Sequence, residues 1–334
     1  MEGTLLEVKN LTTRFRLIKH IITAVDDVSF SVNVGEILAI VGESGCGKSV
    51  TALSLLNLVP EPGKIQSQSK IIFSGRNLVH LAENELAAIR GNEIAMIFQE
   101  PSASFNSLFT IGYQLGENLV VHKHMKKKAA RNQAINLLAK VHIPEPSRRV
   151  GDYPFQLSGG MLQRAMIAQA LSCSPRLLIA DEPTTSLDVT IQAQILALLK
   201  ESSILQKTAI LFITHDLALI EGFADNVMIM YAGRIFENCP ANDVHTNPLH
   251  PYTADLLAAI PRMGFSKNTH HLFSIRGNVP ALHALPPGCK YAPRCSKVFK
   301  RCTELEPPLF SVGEHRVRCW LHDPKRNDTG GSDG

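Results

Sequence analysis

Hydrophobic positions over the first 235 residues follow two alternating patterns. Val28, Phe30 and Val32 alternate with polar residues, the period of a strand with one buried face. Ile37–Val41 is instead a continuous apolar run ending at a glycine, as expected of a strand buried on both faces. Runs at 94–98, 177–180, Ala209–Thr214 and 227–231 repeat the second pattern. Helix-like stretches lie between them, and residues from about 102 to 165 read as mainly helical. Short apolar strands alternating with helices predict an α/β sheet protein. After residue 236 prolines recur at 240, 248, 251, 261, 280, 286 and 287, which predicts a boundary near 236–240 and two units, 1–236 and 237–334. The last nine residues form a polar tail expected to be disordered.

Composition narrows this picture. A length of 334 residues suggests two domains at roughly 150 residues each. With 45% hydrophobic and 19% charged residues, a large core is easily buried. Thirty-four Lys and Arg against 30 Asp and Glu leave a net charge of only +4, so no nucleic-acid partner is expected. No apolar run approaches the roughly 18–20 residues of a membrane span. The first ten residues also lack the basic-then-apolar pattern of a secretory signal. A soluble intracellular protein is expected. Of seven cysteines, Cys289, Cys295, Cys302 and Cys319 crowd into the C-terminal region, and clustered thiols in a reducing compartment more often hold metal than form disulfides.

Directly after the Ile37–Val41 run stands Gly42-Glu43-Ser44-Gly45-Cys46-Gly47-Lys48-Ser49, a G-x4-G-K-S pattern followed by a helix-like stretch. Glycines let a loop wrap phosphates with backbone N–H groups, and the helix N-terminus adds positive dipole. Lys48 is expected to reach the β- and γ-phosphates and Ser49 to ligate Mg²⁺. The 177–180 run ends in Asp181 and Glu182. Alone, such a pair would read as a helix N-cap. Behind a phosphate loop, Asp181 is placed for Mg²⁺ and its water, and Glu182 for the proton of a water attacking the γ-phosphate. Cys46 reads as a small residue at a variable loop position rather than a redox switch, and the lysine-rich stretch 123–131 as a solvated helical face.

With Leu157-Ser158-Gly159-Gly160-Met161 ahead of Gln163-Arg164, residues 1 to about 235 resemble an ATP-binding cassette (ABC) ATPase. The resemblance implies a RecA-like core, an antiparallel β subdomain and a helical signature subdomain over about 102–165. It implies a head-to-tail dimer in which Ser158, Gly159 and Gly160 close on ATP held by the other subunit. ATP would be bound by Gly42, by Ser44, Gly45, Cys46, Gly47, Lys48, Ser49 and Val50, and by Phe15 stacked on adenine. Gln99 would sense Mg²⁺ and the γ-phosphate, and the Ser186-Leu187-Asp188 loop would carry contacts across the dimer. His215 would hold the attacking water with Glu182. Position 161 departs from the wider family, where Gln is usual; methionine there resembles the peptide-importer branch.

The segment Asn247-Pro248-Leu249-His250-Pro251-Tyr252-Thr253 is similar to the extension on ATPase subunits of dipeptide, oligopeptide and nickel importers. A proline-flanked turn opening an apolar helix (Leu256, Leu257, Ile260) suits docking onto the cassette. The four cysteines follow as C-x5-C, C-x6-C and C-x16-C, without the short pairs usual in structural zinc sites. The wider spacing suits an iron–sulfur cube, with zinc, or reduced or disulfide-bonded thiols, as alternatives. The pattern GC-x-Y-x-PRC with a later H-x-V-x-C also resembles dipeptide-importer ATPases that bind a [4Fe-4S] cluster. The family reading implies an ATPase powering peptide import from the cytoplasmic face of a membrane. Its partners would be two transmembrane permease subunits, a second homologous ATPase subunit and, indirectly, an extracytoplasmic binding protein. The alternatives are a nickel or small-solute importer of the same branch, a non-transport ABC ATPase, and a metal-sensing regulator with a degenerate ATPase.

Overall fold

The computed structural model describes residues 3–185, 187–260 and 273–328. Among them the strands are, in chain order, β1 (Thr4–Arg16), β2 (Ile21–Asn33), β3 (Ile37–Val41), β4 (Gly63–Ile65), β5 (Lys70–Phe73), β6 (Arg76–Asn77) and β7 (Ile94–Ile97). Then follow β8 (Leu177–Asp181), β9 (Ala209–Thr214), β10 (Asn226–Tyr231), β11 (Arg234–Pro240), β12 (Phe310–Val312) and β13 (His315–Val317). The continuous apolar runs are β3, β7, β8, β9 and β10, and the alternating Val28–Phe30–Val32 pattern lies in β2.

Two sheets result. The larger has the order β12-β13-β11-β10-β3-β9-β8-β7, with β10, β3, β9, β8 and β7 mutually parallel. The smaller, antiparallel sheet has the order β2-β1-β5-β6, with β4 paired to β1. Successive residues of a strand face opposite sides, so β3 contributes to cores on both. Leu38 and Ile40 pack, with Met228 and Met230 of β10, against the antiparallel sheet and the helix Lys48–Leu55. Ile37 faces the other side, where helices Ile111–Lys123, Lys127–Lys140 and Gly159–Leu171 cover the β7–β9 half. Ala39 and Val41 face that side too, beneath the C-terminal region, with Val227, Ile229, Tyr231, Tyr252, Tyr291 and Trp320. Both faces of the parallel strands are therefore covered, which is why their sequences do not alternate. No helix among the described residues is long and apolar enough to cross a membrane.

The change of unit expected at 236/237 falls inside β11, because the composition shifts before the strand ends. β13 returns from the C-terminal region to pair with β11, Glu237 opposite Val317, so residues beyond 300 extend the large sheet. The tail expected from Arg326 onward begins within a short turn, Pro324–Asp328, where Arg326 lies over the Phe299 ring; residues 329–334 lie outside the described residues.

A buried carboxylate latches this region. Glu237 is fully buried and accepts hydrogen bonds from Leu249 N (2.9 Å), His250 N (2.9 Å) and the Thr253 hydroxyl (2.6 Å). His315 Nδ1 lies 3.2 Å from its other side. His250 in turn caps the helix Pro251–Ala258, its Nδ1 accepting from Tyr252 N at 2.9 Å. Burial pushes the His250 pKa down to about 3, with the His322 charge adding to the effect, so the ring stays neutral and keeps the lone pair this cap requires. Glu237→Ala would leave these donors buried without a partner. The expected loss is about 3 kcal/mol of stability, read as a lower urea midpoint, with Thr253→Ala costing about 1 kcal/mol. A Glu237→Ala chain as stable as the parent would remove the latch.

Candidate functional site

The parallel strands pair with their carboxyl ends in step: Val41 opposite Thr214, Asp181 opposite Ile213, and Ile97 opposite Ala180. The segments that follow β3, β7, β8 and β9 therefore emerge along one edge of the sheet, where ligands bind in open α/β folds. Those segments carry the phosphate loop, Gln99, Glu182 and His215.

The phosphate loop leads from β3 into the helix Lys48–Leu55, with Gly47 as N-cap at φ 108°. A Cβ at Gly47 would lie 2.4 Å from the Ala24 carbonyl oxygen, and one at Gly42 would lie 2.2 Å from that of Met230. Only glycine fits either place. Ser44 and Gly45 are exposed and Ser49 and Val50 half-buried, whereas Cys46 is fully buried. Burial pushes the Cys46 thiol up, against the nearby Lys48 charge. Lys48 is buried and its Nζ donates to the carbonyls of Gly42 (2.7 Å) and Glu43 (3.1 Å).

Asp181 ends β8 with only 3% exposure. Burial pushes its carboxyl above the usual range, against a Ser49 hydrogen bond; the Glu182 charge adds to the rise and that of Lys48 opposes it. Its Oδ1 is buried without a hydrogen-bond partner. An unpaired, desolvated carboxylate oxygen beside a serine hydroxyl fits a hard divalent cation such as Mg²⁺.

Glu182 adopts φ 48°, while its N–H still joins the ladder by donating to Ile213 O at 2.9 Å. That turn sends its carboxylate among three partners. Gln99 Nε2 lies 3.2 Å from Oε2, His215 Nδ1 lies 3.2 Å from Oε1, and the Thr185 hydroxyl donates to Oε2 at 3.1 Å. Thr185 escaped the sequence reading, and the fully buried Gln163, quoted there without a role, donates through Nε2 to the Glu182 carbonyl at 3.3 Å. Neither carries a signal beyond adjacency to a motif.

The other expected residues lie apart from this group. Ser158 caps the helix Gly159–Leu171, its Oγ accepting from Met161 N at 3.3 Å, and both Ser158 and Gly159 are exposed while Gly160 is half-buried. No hydrogen bond or ion pair among the described residues joins Ser158, Gly159 or Gly160 to the phosphate loop. Asp188 caps the helix Val189–Gln206, accepting from Ile191 N at 3.0 Å; Ser186 lies outside the described residues. Phe15 is half-buried on β1, its ring lying against Gly63 of β4.

Cys289, Cys295, Cys302 and Cys319 line one small cavity together with His250 and Trp320. Burial pushes the Cys289 thiol up to about 12 and the Cys319 thiol up to about 11. Among the described residues the sole trio of His, Cys, Asp or Glu side chains with ligand atoms within 4.8 Å of one another is Glu237, Cys239 and His315. The hydrogen bonds Glu237 already accepts make that trio part of the latch.

Residues 25–185 match the family model for ABC transporters, and residues 236–302 match that for the C-terminal region of oligopeptide/dipeptide transporters. The chain is 48% identical to the oligopeptide transport ATP-binding protein AppD of Bacillus subtilis, over 96% of this chain and 98% of that one. It is 47% identical to the oligopeptide transport ATP-binding protein OppD of Haemophilus influenzae, covering 97% and 99%. With the dipeptide transport ATP-binding protein DppD of Bacillus subtilis it shares 45% identity, covering 96% and 95%. Among solved structures it is similar to the cassette MJ0796 in a dimeric post-hydrolysis state bound to ADP and Pi, with a TM-score of 0.65 and 26% identity. That match covers 71% of this chain and 98% of the cassette. The chain belongs to the ABC transporter ATPase family, in its oligopeptide and dipeptide importer branch.

Proposed function

We propose that this chain hydrolyses ATP to ADP and phosphate to energise import of di- or oligopeptides. The observation that carries the reading is the alignment of the phosphate loop, Gln99, Asp181, Glu182 and His215 along one sheet edge, in a chain whose relatives are named for peptide transport. In this reading the loop N–H groups and Lys48 hold the β- and γ-phosphates, and Phe15 stacks on adenine. Ser49, Asp181 and Gln99 would hold Mg²⁺, which supplies charge neutralisation on the phosphates when bound. Glu182 accepts the proton of the attacking water, and His215 and Gln99 orient that water through the contacts they make with Glu182. The exposed N-terminus of the helix Gly159–Leu171, with Ser158, then serves the γ-phosphate of a second, homologous subunit, and Asp188 lies in the same interface.

The membrane-facing partners are two permease subunits, fed by an extracytoplasmic binding protein, with the chain bound peripherally on the cytoplasmic face. Support for a docking site comes from exposed aromatic and apolar side chains in the segment after Gln99 and at residues 153 and 155. Leu108 is 80% exposed, Phe109 stacks on Tyr113 with centroids 4.8 Å apart, and Tyr153 stacks on Phe155 at 5.6 Å. A short permease helix would cover this patch and feel movement of the Gln99 segment.

For the four cysteines the reading is a [4Fe-4S] cluster, supported by the one small cavity that they line together. When bound, such a cluster ties four chain segments together and supplies a one-electron redox centre.

Two outcomes follow. Glu182→Gln is expected to keep its ATP affinity within about twofold while phosphate release falls about a hundredfold or more; near-normal turnover would remove Glu182 from the role. Chemical analysis of protein purified without oxygen is expected to find about four irons and four acid-labile sulfides per chain, with broad visible absorbance. One zinc and no sulfide would replace the cluster by a zinc staple and leave the ATPase reading untouched.

A further inference from the structure

The residue just before Cys295 reaches the phosphate loop. Arg294 is 7% exposed, and its Nη1 lies 2.9 Å and 3.1 Å from the two carboxylate oxygens of Glu43, the second residue of that loop. The same nitrogen donates to the Tyr231 hydroxyl at 3.3 Å, and Nε donates to the Arg276 carbonyl at 2.9 Å. The guanidinium lies 5.7 Å from the ring centres of both Tyr231 and Tyr291, so packing fixes its direction.

Glu43 is held at its other polar groups as well. Its N–H donates to the Tyr252 hydroxyl at 3.0 Å. Its carbonyl accepts from Cys46 N at 3.2 Å and from Lys48 Nζ at 3.1 Å. One loop residue thus joins the C-terminal region, through its side chain and N–H, to the phosphate-binding lysine, through its carbonyl. The path from Cys295 to Lys48 runs through Arg294 and Glu43 alone, although 251 residues separate those two in sequence.

A glycine-rich loop is costly to order, and any part of that cost met before ATP arrives appears as affinity. A charge-assisted contact with a buried arginine suits that task, because losing the half-buried Glu43 carboxylate leaves the desolvated guanidinium without its countercharge. We propose that Arg294, Glu43 and Tyr252 are positioning residues of the ATP site, through which the C-terminal region sets the affinity of the phosphate loop. The inference rests on the ATPase reading but not on the identity of the group held by the four cysteines.

The test measures the dissociation constant of a fluorescent ATP analogue, with KM and kcat for ATP, on the full chain and its variants. Arg294→Gln and Glu43→Gln are each expected to weaken binding about fivefold, and the double variant no further, as coupled neighbours do. KM should rise with kcat held near its parent value, and Arg294→Lys should recover part of the affinity. Tyr252→Phe removes one acceptor and should weaken binding by a smaller factor. Arg301→Gln is the structural control: Arg301 lies in the same region but pairs with Asp323 at 2.7 Å and stacks on Trp320. It should lower the melting temperature and leave ATP affinity unchanged. If Arg301→Gln weakened binding as Arg294→Gln does, or if the double variant lost the product of the two single factors, the positioning role would be overturned. A parent chain that bound no ATP would overturn the ATPase reading and this inference with it, whereas equal dissociation constants across the series overturn the inference alone.

Discussion

Register between the parallel strands carries everything else, because a slip of one residue would turn each side chain to the opposite face. Apolar alternation cannot set that register where both faces are buried. Size complementarity does. Phe212 of β9 stands opposite Ala39 of β3 on one side and Ala180 of β8 on the other, and its ring packs edge-on against Phe223 at 4.8 Å. Two alanines flanking one phenylalanine leave room for the ring in this alignment, and a one-residue shift would bring Leu38 or Ile40 of β3, or Ile179 or Asp181 of β8, opposite it. The same alignment brings Val41, Ile97, Asp181 and Thr214 to one edge together, so packing in the core decides where the polar groups at the rim meet.

At that rim, backbone strain is exchanged for direction. A non-glycine residue at φ 48° is uncommon, and holding one costs on the order of 1 kcal/mol or more. Glu182 is kept there by its N–H bond to Ile213 and by Gln163 and Thr185, both donating to its carbonyl at 3.3 Å. Gln163 belongs to the helix that Ser158 caps, so the backbone of the acidic residue and the signature helix share a hydrogen bond. Under the proposed head-to-tail arrangement, a shift of that helix on meeting a second subunit's ATP is felt at Glu182 without an intervening element.

Local patterns made β2, β3, β7, β8, β9, β10, the phosphate loop and the acidic pair legible, because each is written in contiguous residues with its own geometry, whereas the signature string was attached by family resemblance. Family resemblance, not spacing, attached Gln99, His215 and Phe15 to them. Contacts between distant segments left no comparable trace. Glu237 follows two buried apolar residues in a strand whose burial does not alternate, yet it gathers hydrogen bonds from Leu249, His250 and Thr253 and lies against His315. Arg294 read as one letter of a cysteine pattern, and its partner Glu43 as one unspecified letter of the G-x4-G-K-S string. Pairing of β13 with β11 was equally hidden, since a three-residue strand has too few residues to show a period.

The same long-range contacts explain why a shift in composition near residue 236 does not mark a detachable part. Residues 237–240 belong to β11, and Glu237 binds the chain again 12 and 13 residues later. Tyr231, Phe236 and Val41 are buried beneath Tyr252, Tyr291 and Trp320, so without the C-terminal region the cassette would present a contiguous apolar face and a bare strand edge. Most of the cassette's coverage on that half of the sheet is supplied by residues beyond 240. A region that covers this half of the sheet and also grips the second residue of the phosphate loop could not be removed without disturbing both.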